Sequence, residues 1–352
     1  MSVTAIVPAR NEARHIASCL KSILQQTYPI EVVVMDNASE DGTFELAREC
    51  LGERGNVIRN QQNIGLGASL VRGIRESKSN FVLILHADLA LGSDDYVEKA
   101  IERFRDPEVA VVTGLPYVPP SEHEKLPFVQ KAFMALRRQN EFASPTAPTE
   151  ELSFSEEKGD IYRRDILERA GLFSPEFFES GEDQVLSYNI RKLGCRIVRD
   201  NTIRVIFRYG TSGQGLLANL RKEFTYGKTQ AGIFRKHAFF ALEKVRLSSQ
   251  TKYRAAHRIA GFLFGLATLV LLCLFVASLT RGNDSLALLS LTAAVVATMF
   301  RLSHLMGSVF AIPYDHKRTE LVGIAALGLL ADVVYSCGVG YGLLMSLFRR
   351  AL

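Results

Sequence analysis

The sequence contains no tryptophan and is poor in cysteine, with 5 cysteines among its 352 residues. The absence of tryptophan excludes any function that depends on a tryptophan-containing motif. The cysteines show no paired spacing, which argues against both a disulfide framework and a zinc site. They stand at Cys19, Cys50, Cys195, Cys273 and Cys337. This usage is typical of a protein in a reducing compartment.

Excess charge is also lacking, since the formal net charge is only +5 at pH 7. We therefore expect no nucleic-acid partner. Basic residues do collect just before the apolar end of the chain, at Arg235, Lys236, Lys244, Arg246, Lys252, Arg254 and Arg258. A basic collar in this place suits the anionic cytoplasmic face of a membrane, although a solvated charged surface is the alternative.

The first residues, MSVTAIVPARNE, lack a basic segment followed by an apolar one. A secretory signal is therefore not expected, and the N-terminal domain is predicted to stay in the cytoplasm.

Long uncharged runs are missing up to about residue 254 and frequent from residue 259 onward. They cover residues 259–280, 286–300 with a possible extension to 312, and 321–348. The first and last exceed the roughly 20 residues that cross a bilayer, whereas the extension of the middle run carries Arg301 and His304. Two or three crossings are possible, and we favour three, in a multi-pass protein of the cytoplasmic membrane.

The chain up to about residue 114 alternates short β-rich runs, at residues 3–7, 31–35 and 81–85, with helical patterns, at 13–25 and 43–51. Such alternation predicts an α/β fold with a doubly wound, mostly parallel sheet. Ligands of such sheets bind at the carboxyl ends of the strands.

Polar clusters follow three of these strands. They are Pro8, Ala9, Arg10, Asn11 and Glu12 after the first, residues 36–43 after the second, and His86, Ala87 and Asp88 after the third. We expect the three clusters to converge on one cleft. Each of them, taken singly, is also typical of ordinary turns and helix caps.

The middle of the chain is less regular. Residues 115–121 and 144–155 are rich in turn-forming residues and are predicted to be loops, either binding loops or simple disorder. Residues 128–138 and 216–245 form amphipathic basic patterns suited to a membrane surface.

Six short motifs, taken in order, resemble those of the family 2 glycosyltransferases, which have the GT-A fold. They are VPARNE from residue 7, VVMDNASEDGT from 33, NQQNIGLGASLVRGI from 60, His-Ala-Asp from 86, KGDIYRR from 158 and FESGED from 178. The resemblance covers about residues 2–235. It implies a catalytic domain at 1–235, an interfacial segment at 236–258 and a membrane domain at 259–352.

The resemblance also implies a donor site. Asp36 would accept hydrogen bonds from the base of a nucleotide sugar, and residues 8–12, Asn63 and Gly65 would seat the nucleoside. His86, Ala87 and Asp88 occupy the metal-binding DxD position, with Asp88 and His86 as ligands of Mn²⁺ or Mg²⁺. His86 replaces the usual first acid, and its alternative role is packing or capping. Arg208 stands where many members have a metal-binding histidine and would contact phosphate instead.

On the acceptor side, Asp183 resembles the general base of the family, with Glu182 beside it as a helper. The alternative for Asp183 is a helix N-cap. Gly159, Asp160, Arg163 and Arg164 resemble the acceptor-binding segment. The family chemistry is a single displacement with inversion.

The predicted function is therefore non-processive transfer of one sugar, from a nucleotide sugar such as a UDP-sugar, to a lipid-linked or membrane-surface glycan. Residues 208–210 and 214–227 resemble members that assemble exopolysaccharides. Processive members carry a QxxRW motif, which a chain without tryptophan cannot have. Polyprenyl-phosphate sugar synthases are the second candidate, although Ala90 and Leu91 stand where they tend to have a glutamine. A non-catalytic GT-A scaffold is a third.

Overall fold

The computed structural model describes residues 2–138, 147–156, 158–174, 180–208, 215–236, 249–310 and 318–348. Contacts divide the chain into two compact units. One consists of Met1–Lys125 with Pro145–Thr211, and the other of Leu126–Ser144 with Ser212–Leu352.

The first unit is an α/β domain with helices and strands in alternation. Its strands are β1 Val3–Ala9, β2 Ile30–Asp36, β3 Gly55–Arg59, β4 Phe81–Ile84, β5 Leu89–Leu91, β6 Val109–Tyr117, β7 Thr149–Leu152, β8 Asp160–Arg163 and β9 Arg196–Phe207. Its helices are α1 Ile16–Leu24, α2 Thr43–Leu51, α3 Leu66–Arg75, α4 Tyr96–Arg103, α5 Pro120–Lys125, α7 Arg164–Arg169 and α8 Glu182–Lys192. The predicted fold class is confirmed.

The described strands form one sheet in the order β3-β2-β1-β4-β8-β6-β9-β5, with β7 paired to β9. The pairings among β3, β2, β1 and β4 are all parallel. Every residue of β1 and β4 is buried, as expected for strands covered on both faces. Strand β8 runs antiparallel to β4, so the sheet is mixed.

Two segments predicted to be loops contain regular structure. Strand β6 continues through Tyr117, and α5 begins at Pro120, inside the proline-rich stretch 115–121. The second stretch contains β7, which pairs with β9, while residues 144–146 lie outside the described residues. Pairing with a distant strand outweighed the local turn-forming composition in both places.

The second unit is helical. It consists of α6 Phe128–Arg138, α9 Leu216–Lys236, α10 Ser249–Thr280, α11 Asp284–Phe310 and α12 Arg318–Phe348. Three stretches are long and apolar enough to cross a membrane: Ile259–Thr280, Asp284–Leu302 and Val322–Met345. Large apolar side chains such as Leu288, Phe300 and Val322 are exposed on them, as lipid-facing residues would be.

Arg301, the charge that weighed against the middle span, has a partner on another helix. Its Nε donates to Asp332 Oδ2 of α12 at 2.8 Å, and its Nη2 donates to Asp332 Oδ1 at 3.3 Å. The Arg301 side chain is only 3% exposed. Ionisable groups within apolar helices are expected to pair in this way, because an isolated charge there is costly. The side chain of His304 lies outside the described residues.

Helix α9 packs on α12 at very close range. A Cβ added to Gly338 of α12 would lie 2.1 Å from the carbonyl oxygen of Phe224, and one added to Gly227 of α9 would lie 2.1 Å from that of Tyr335. Small residues allow helix backbones to approach in this way. Contacts therefore group α6 and α9 with the apolar helices, so the predicted domain boundary at residue 235 differs from the observed grouping.

This packing predicts opposite outcomes for two glycines of α12. Gly338→Ala would force α9 away from α12 and is expected to lower stability by about 1–3 kcal/mol, as overpacking does. Gly340→Ala is the matched control, because nothing lies within 4 Å of its added Cβ. The measurement is thermal unfolding of the full chain in detergent. Equal midpoints for both variants would show that the close contact is absent in solution.

Candidate functional site

The three polar clusters begin at one edge of the sheet. Ala9 at the end of β1 is in register with Asp36 at the end of β2, and Asp36 is in register with Arg59 at the end of β3. On the other side of β1, Leu85 N donates to Ile6 O at 3.2 Å. Residues 86–88, called the His86 segment below, therefore follow β4 at a point next to β1. The parallel pairing therefore brings the predicted donor-site clusters together.

Hydrogen bonds join the loop after β1 to the loop after β2. Asn11 N donates to Ser39 Oγ at 3.0 Å, and Glu40 N donates back to Asn11 Oδ1 at 2.9 Å. Glu12 N donates to Thr43 Oγ1 at 2.8 Å. Asn11 adopts the left-handed conformation, with φ 56°, which asparagine tolerates better than most residues. The two loops thus form one connected wall, on which Arg10 is exposed.

Asp36 is fully buried and only half satisfied. Its Oδ2 accepts a hydrogen bond from Ser39 N at 3.3 Å and lies 3.3 Å from Arg59 Nε. Its Oδ1 is buried without a hydrogen-bond partner among the described residues. An unsatisfied buried acceptor costs about 1–3 kcal/mol, so this oxygen favours binding of a donor group.

Asn63 and Gly65 hold a loop that starts after β3. Asn63 Oδ1 accepts from Asn37 Nδ2 at 2.8 Å and from Gly65 N at 3.1 Å. Asn60 Nδ2 in turn donates to Asn37 Oδ1 at 3.1 Å, and Arg72 Nη1 donates to Asn60 Oδ1 at 2.6 Å. Asn37 lies in the polar cluster predicted after β2, and Asn60 and Arg72 lie in the motif that begins at residue 60, but none of the three was singled out as a donor-site residue. Both asparagines directly follow strand ends.

The His86 segment connects β4 to β5. His86 O accepts from Leu89 N at 3.0 Å, and Asp88 O accepts from Arg208 N at 3.1 Å, which brings the end of β9 to the segment. Burial lowers the pKa of His86; the Asp88 charge opposes this shift and the Lys158 charge adds to it. A neutral imidazole is the form that binds metal ions.

The residues present suit a divalent cation that is held jointly with a ligand. His86 supplies an imidazole and Asp88 a carboxylate, donors that Mn²⁺ accepts. Burial raises the pKa of Glu12, and the charge of Asp88 contributes to the rise, so a second carboxylate lies within electrostatic reach. In the described parts of the chain, no group of three or more His, Cys, Asp or Glu residues could hold a metal by itself. The remaining ligands would have to come from a diphosphate and water.

Lys158 lies within electrostatic reach of His86 and was not among the residues predicted for the site. Its Nζ lies 2.6 Å from Glu156 Oε2 and 5.6 Å from the centre of the Phe207 ring. The next residue, Gly159, donates its N–H to Ile84 O at 2.9 Å, at the end of β4 that leads to His86. The positively charged Lys158 side chain therefore lies beside the segment predicted to bind diphosphate. The sequence indicated this residue only by its place as the first residue of the KGDIYRR motif.

The four predicted acceptor residues separate along β8. Gly159 and the buried Asp160 lie beside the end of β4 near His86, whereas Arg163 is in register with Phe81 at its beginning. Arg163 Nε donates to Val109 O at 2.7 Å, and Arg164 Nη1 donates to Ile74 O at 3.0 Å. Because β8 runs antiparallel to β4, each residue after Asp160 lies further from the cleft. The structure does not bring the two arginines to the site, and we do not carry their acceptor role forward.

The acid pair begins helix α8. Gly181 occupies the N-cap with φ 94°, a conformation that glycine adopts without strain, and no side chain of a described residue caps this helix end. Asp183 therefore lies inside the first turn, and the alternative N-cap role belongs to Gly181 instead. Asp183 Oδ1 accepts from Gln184 N at 2.7 Å. Residues 178 and 179 of the motif lie outside the described residues.

Glu182 is a buried acid with an incomplete set of contacts. Within the described structure its Oε2 is buried and lacks a hydrogen-bond partner. Burial, followed by the neighbouring Asp183 charge, raises the pKa of Glu182 to about 7. A Cβ added to Gly67 would lie 4.0 Å from Glu182 Cβ, so the acid pair lies beside the start of α3, next to the Asn63 loop.

Comparison with known structures identifies the fold class. The mannosyltransferase PcManGT from Pyrobaculum calidifontis, solved in complex with GDP-Man and Mn²⁺, aligns with 95% of this chain and 86% of its own, with a TM-score of 0.56. Sequence identity is 19%, so the likeness shows the GT-A fold and no more.

Comparison of sequences identifies the family. Residues 4–171 match the profile of the family described as Glycosyl transferase family 2, so the chain carries a family 2 glycosyltransferase domain. This confirms the resemblance drawn from the motifs.

Two curated relatives agree with this assignment. A 4,4'-diaponeurosporenoate glycosyltransferase of Staphylococcus haemolyticus is 34% identical over 106 residues, which are 29% of this chain and 28% of the relative. Glycosyltransferase AglE of Haloferax volcanii is 32% identical over 117 residues, which are 32% of this chain and 38% of the relative. The alignments thus span less than two fifths of either relative.

The raised pKa of Glu182 predicts how stability depends on pH. The folded state binds this proton up to about pH 7, whereas the unfolded chain releases it near the ordinary value of 4.5. Glu182 therefore lowers folding stability progressively as pH rises from about 4.5 to 7. Glu182→Gln removes this penalty and is expected to gain about 1–3 kcal/mol at pH 8 relative to pH 5.

Thermal unfolding of the full chain in detergent at pH 5, 6, 7 and 8 provides the measurement. The control is Glu76→Gln, which removes an exposed acid at the end of α3 and should leave the pH dependence caused by Glu182 intact. A pH-independent effect of Glu182→Gln would contradict the prediction.

Proposed function

We propose that the chain is an inverting, non-processive glycosyltransferase that moves one sugar from a nucleotide sugar to a lipid-linked or membrane-surface glycan. The observation that carries this proposal is the buried, half-satisfied carboxylate of Asp36 at the strand edge where the His86 segment and the loop after β1 also begin. A nucleotide with a diphosphate needs a base contact and a phosphate contact, and side chains suited to each begin at this edge of the sheet.

The donor base must present an N–H to Asp36. Uracil offers N3–H and guanine offers N1–H and its N2 amino group, so UDP- and GDP-sugars fit the free Oδ1, as the exocyclic amino group of cytosine also would. The proposal favours UDP-sugars first. Pro8, Ala9 and the loop that follows them would cover the nucleoside from the β1 side.

The diphosphate would lie at the His86 segment. His86 and Asp88 would hold a divalent cation, which neutralises the diphosphate as it leaves. Lys158 and Arg208 add positive charge at the same segment and would stabilise the negative charge that develops on the leaving group.

The acceptor hydroxyl would be activated by Asp183. The oxygen of this hydroxyl attacks the anomeric carbon from the side opposite the diphosphate, and the bond from that carbon to the diphosphate oxygen breaks, so that the nucleoside diphosphate leaves. The hydroxyl proton passes to the Asp183 carboxylate, and the configuration inverts. Glu182, whose pKa is raised to about 7, is protonated at lower pH, so the proposal assigns the role of base to Asp183 rather than to Glu182. Gly159 and Asp160, at the His86 end of β8, remain the candidate acceptor contacts.

A lipid acceptor is supported by the three apolar helices and by the staphylococcal relative, which is named for 4,4'-diaponeurosporenoate. The paired Arg301 and Asp332 remove the main objection to a third crossing. We propose a multi-pass protein of the cytoplasmic membrane whose catalytic domain faces the cytoplasm, with the boundaries of the domains following the observed units.

The test is a transfer assay with labelled UDP- and GDP-sugars, membrane lipids and the full chain in detergent. Asp183→Asn should lower the rate by about 10²–10⁴-fold, the usual contribution of a general base. It should leave nucleotide binding intact. Asp165→Asn, which changes an exposed acid in the first turn of α7, is the matched control and should retain activity.

Each alternative predicts a distinct result in this assay. A monosaccharide on polyprenyl phosphate would identify a polyprenyl-phosphate sugar synthase. No transfer by the wild type with any donor would favour a non-catalytic scaffold. Full activity of Asp183→Asn would refute the base assignment, and retention of the anomeric configuration would refute the single displacement.

The cation proposal makes a separate prediction. Chelation by EDTA should abolish transfer, and Mn²⁺ should restore it better than Mg²⁺, because imidazole is a poorer ligand for Mg²⁺. His86→Asp should shift the Mn²⁺ to Mg²⁺ activity ratio toward Mg²⁺ by about tenfold, since it restores an all-oxygen donor set. An unchanged ratio would mean that His86 does not contact the cation.

A further inference from the structure

Arg59, the last residue of β3, makes its closest contacts with the buried carboxylate and the loop after β2. Its Nε lies 3.3 Å from Asp36 Oδ2, and its Nη2 donates to Ser39 O at 2.6 Å. Nη1 lies 3.6 Å from Glu45 Oε1. The guanidinium thus joins the carboxylate to the backbone of the loop that follows it.

The contacts of Asp36 are one-sided. Arg59 and Ser39 N both engage Oδ2, while Oδ1 has no partner in the described part of the chain. A carboxylate can rotate about its Cβ–Cγ bond, and a rotated group would offer a different oxygen to a ligand. We propose that Arg59 is a positioning residue of the nucleotide site, which holds Asp36 by Oδ2 so that Oδ1 is presented to the N–H of the nucleobase.

Phe44 explains how an exposed arginine keeps this orientation. The Arg59 guanidinium lies 5.1 Å from the centre of the Phe44 ring, within the range of a cation–π contact. Arg48 also contacts the Phe44 ring, and its guanidinium lies 5.8 Å from the ring centre. Arg48 is exposed on α2 and makes no contact with Asp36 among the residues described. Both arginines therefore contact the Phe44 ring, but only Arg59 contacts the Asp36 carboxylate.

A purely structural role for Arg59 has different consequences. If Arg59 only neutralises a buried charge, its removal destabilises the fold, and replacing Asp36 by asparagine relieves that penalty. If Arg59 orients Oδ1, its removal weakens nucleotide binding in the folded protein, and the weakening depends on the Asp36 carboxylate. Binding affinity and unfolding temperature therefore separate the two roles.

The inference rests on the proposed function and is tested by isothermal titration of the full chain in detergent with UDP and with GDP. For whichever nucleotide the wild type binds, Arg59→Met should raise Kd by about tenfold, as expected for loss of an oriented charged hydrogen bond. Arg59→Lys should recover part of the affinity. Arg48→Met, the matched control, should stay within about twofold of the wild type.

Two further measurements sharpen the test. In the transfer assay, Arg59→Met should raise KM for the donor and leave kcat at saturating donor nearly unchanged. In an Asp36→Asn background, Arg59→Met should change Kd by less than about twofold, because the oriented carboxylate is already absent.

The possible failures are distinguishable. If the wild type binds neither UDP nor GDP, the proposed function fails and the inference fails with it. If the wild type binds and Arg59→Met binds equally well with only a lower unfolding temperature, the inference alone is overturned. It is also overturned if Arg48→Met loses as much affinity, or if the Asp36→Asn background leaves the effect of Arg59→Met intact.

Discussion

Strand β1 exchanges backbone hydrogen bonds with β2 on one side and β4 on the other, and both pairings are parallel. Parallel strands finish at the same edge, so the loops after all three are forced to meet there. Every residue of β1 is buried, which fixes its register through packing on both faces. The proximity of Asp36 to the loop after β1 follows from this pairing, and so does the position of the His86 segment.

Two ion pairs with a buried member differ in how completely the carboxylate is engaged. In the first unit, Asp36 is paired with Arg59 through one oxygen only. In the second unit, Arg301 and Asp332 engage each other through both carboxylate oxygens. A buried pair adds little net stability, since desolvation offsets the attraction. Its use is to specify geometry, and the incomplete pairing of Asp36 leaves binding energy available to a ligand, whereas the complete pairing of Arg301 leaves none.

The adjacent acids of α8 illustrate how two similar groups acquire different properties. Glu182 is 8% exposed and faces the start of α3, and burial together with the Asp183 charge raises its pKa to about 7. A negative charge on Asp183 disfavours ionisation of its neighbour, and burial does so more strongly. Glu182 therefore keeps its proton to higher pH, which is consistent with the proposed role of Asp183 as the base.

Local sequence patterns alone determined much of this protein. Apolar runs ending in polar clusters predicted the parallel strands, and the long uncharged stretches predicted the three apolar helices, because both patterns depend on neighbours along the chain. Only the tertiary structure decided the rest. The antiparallel course of β8 removed Arg163 and Arg164 from the site, the packing of α9 on α12 moved the domain boundary, and the partners of Asp36 and Arg301 came from other elements. Each of these depends on contacts between distant residues, which no local pattern encodes.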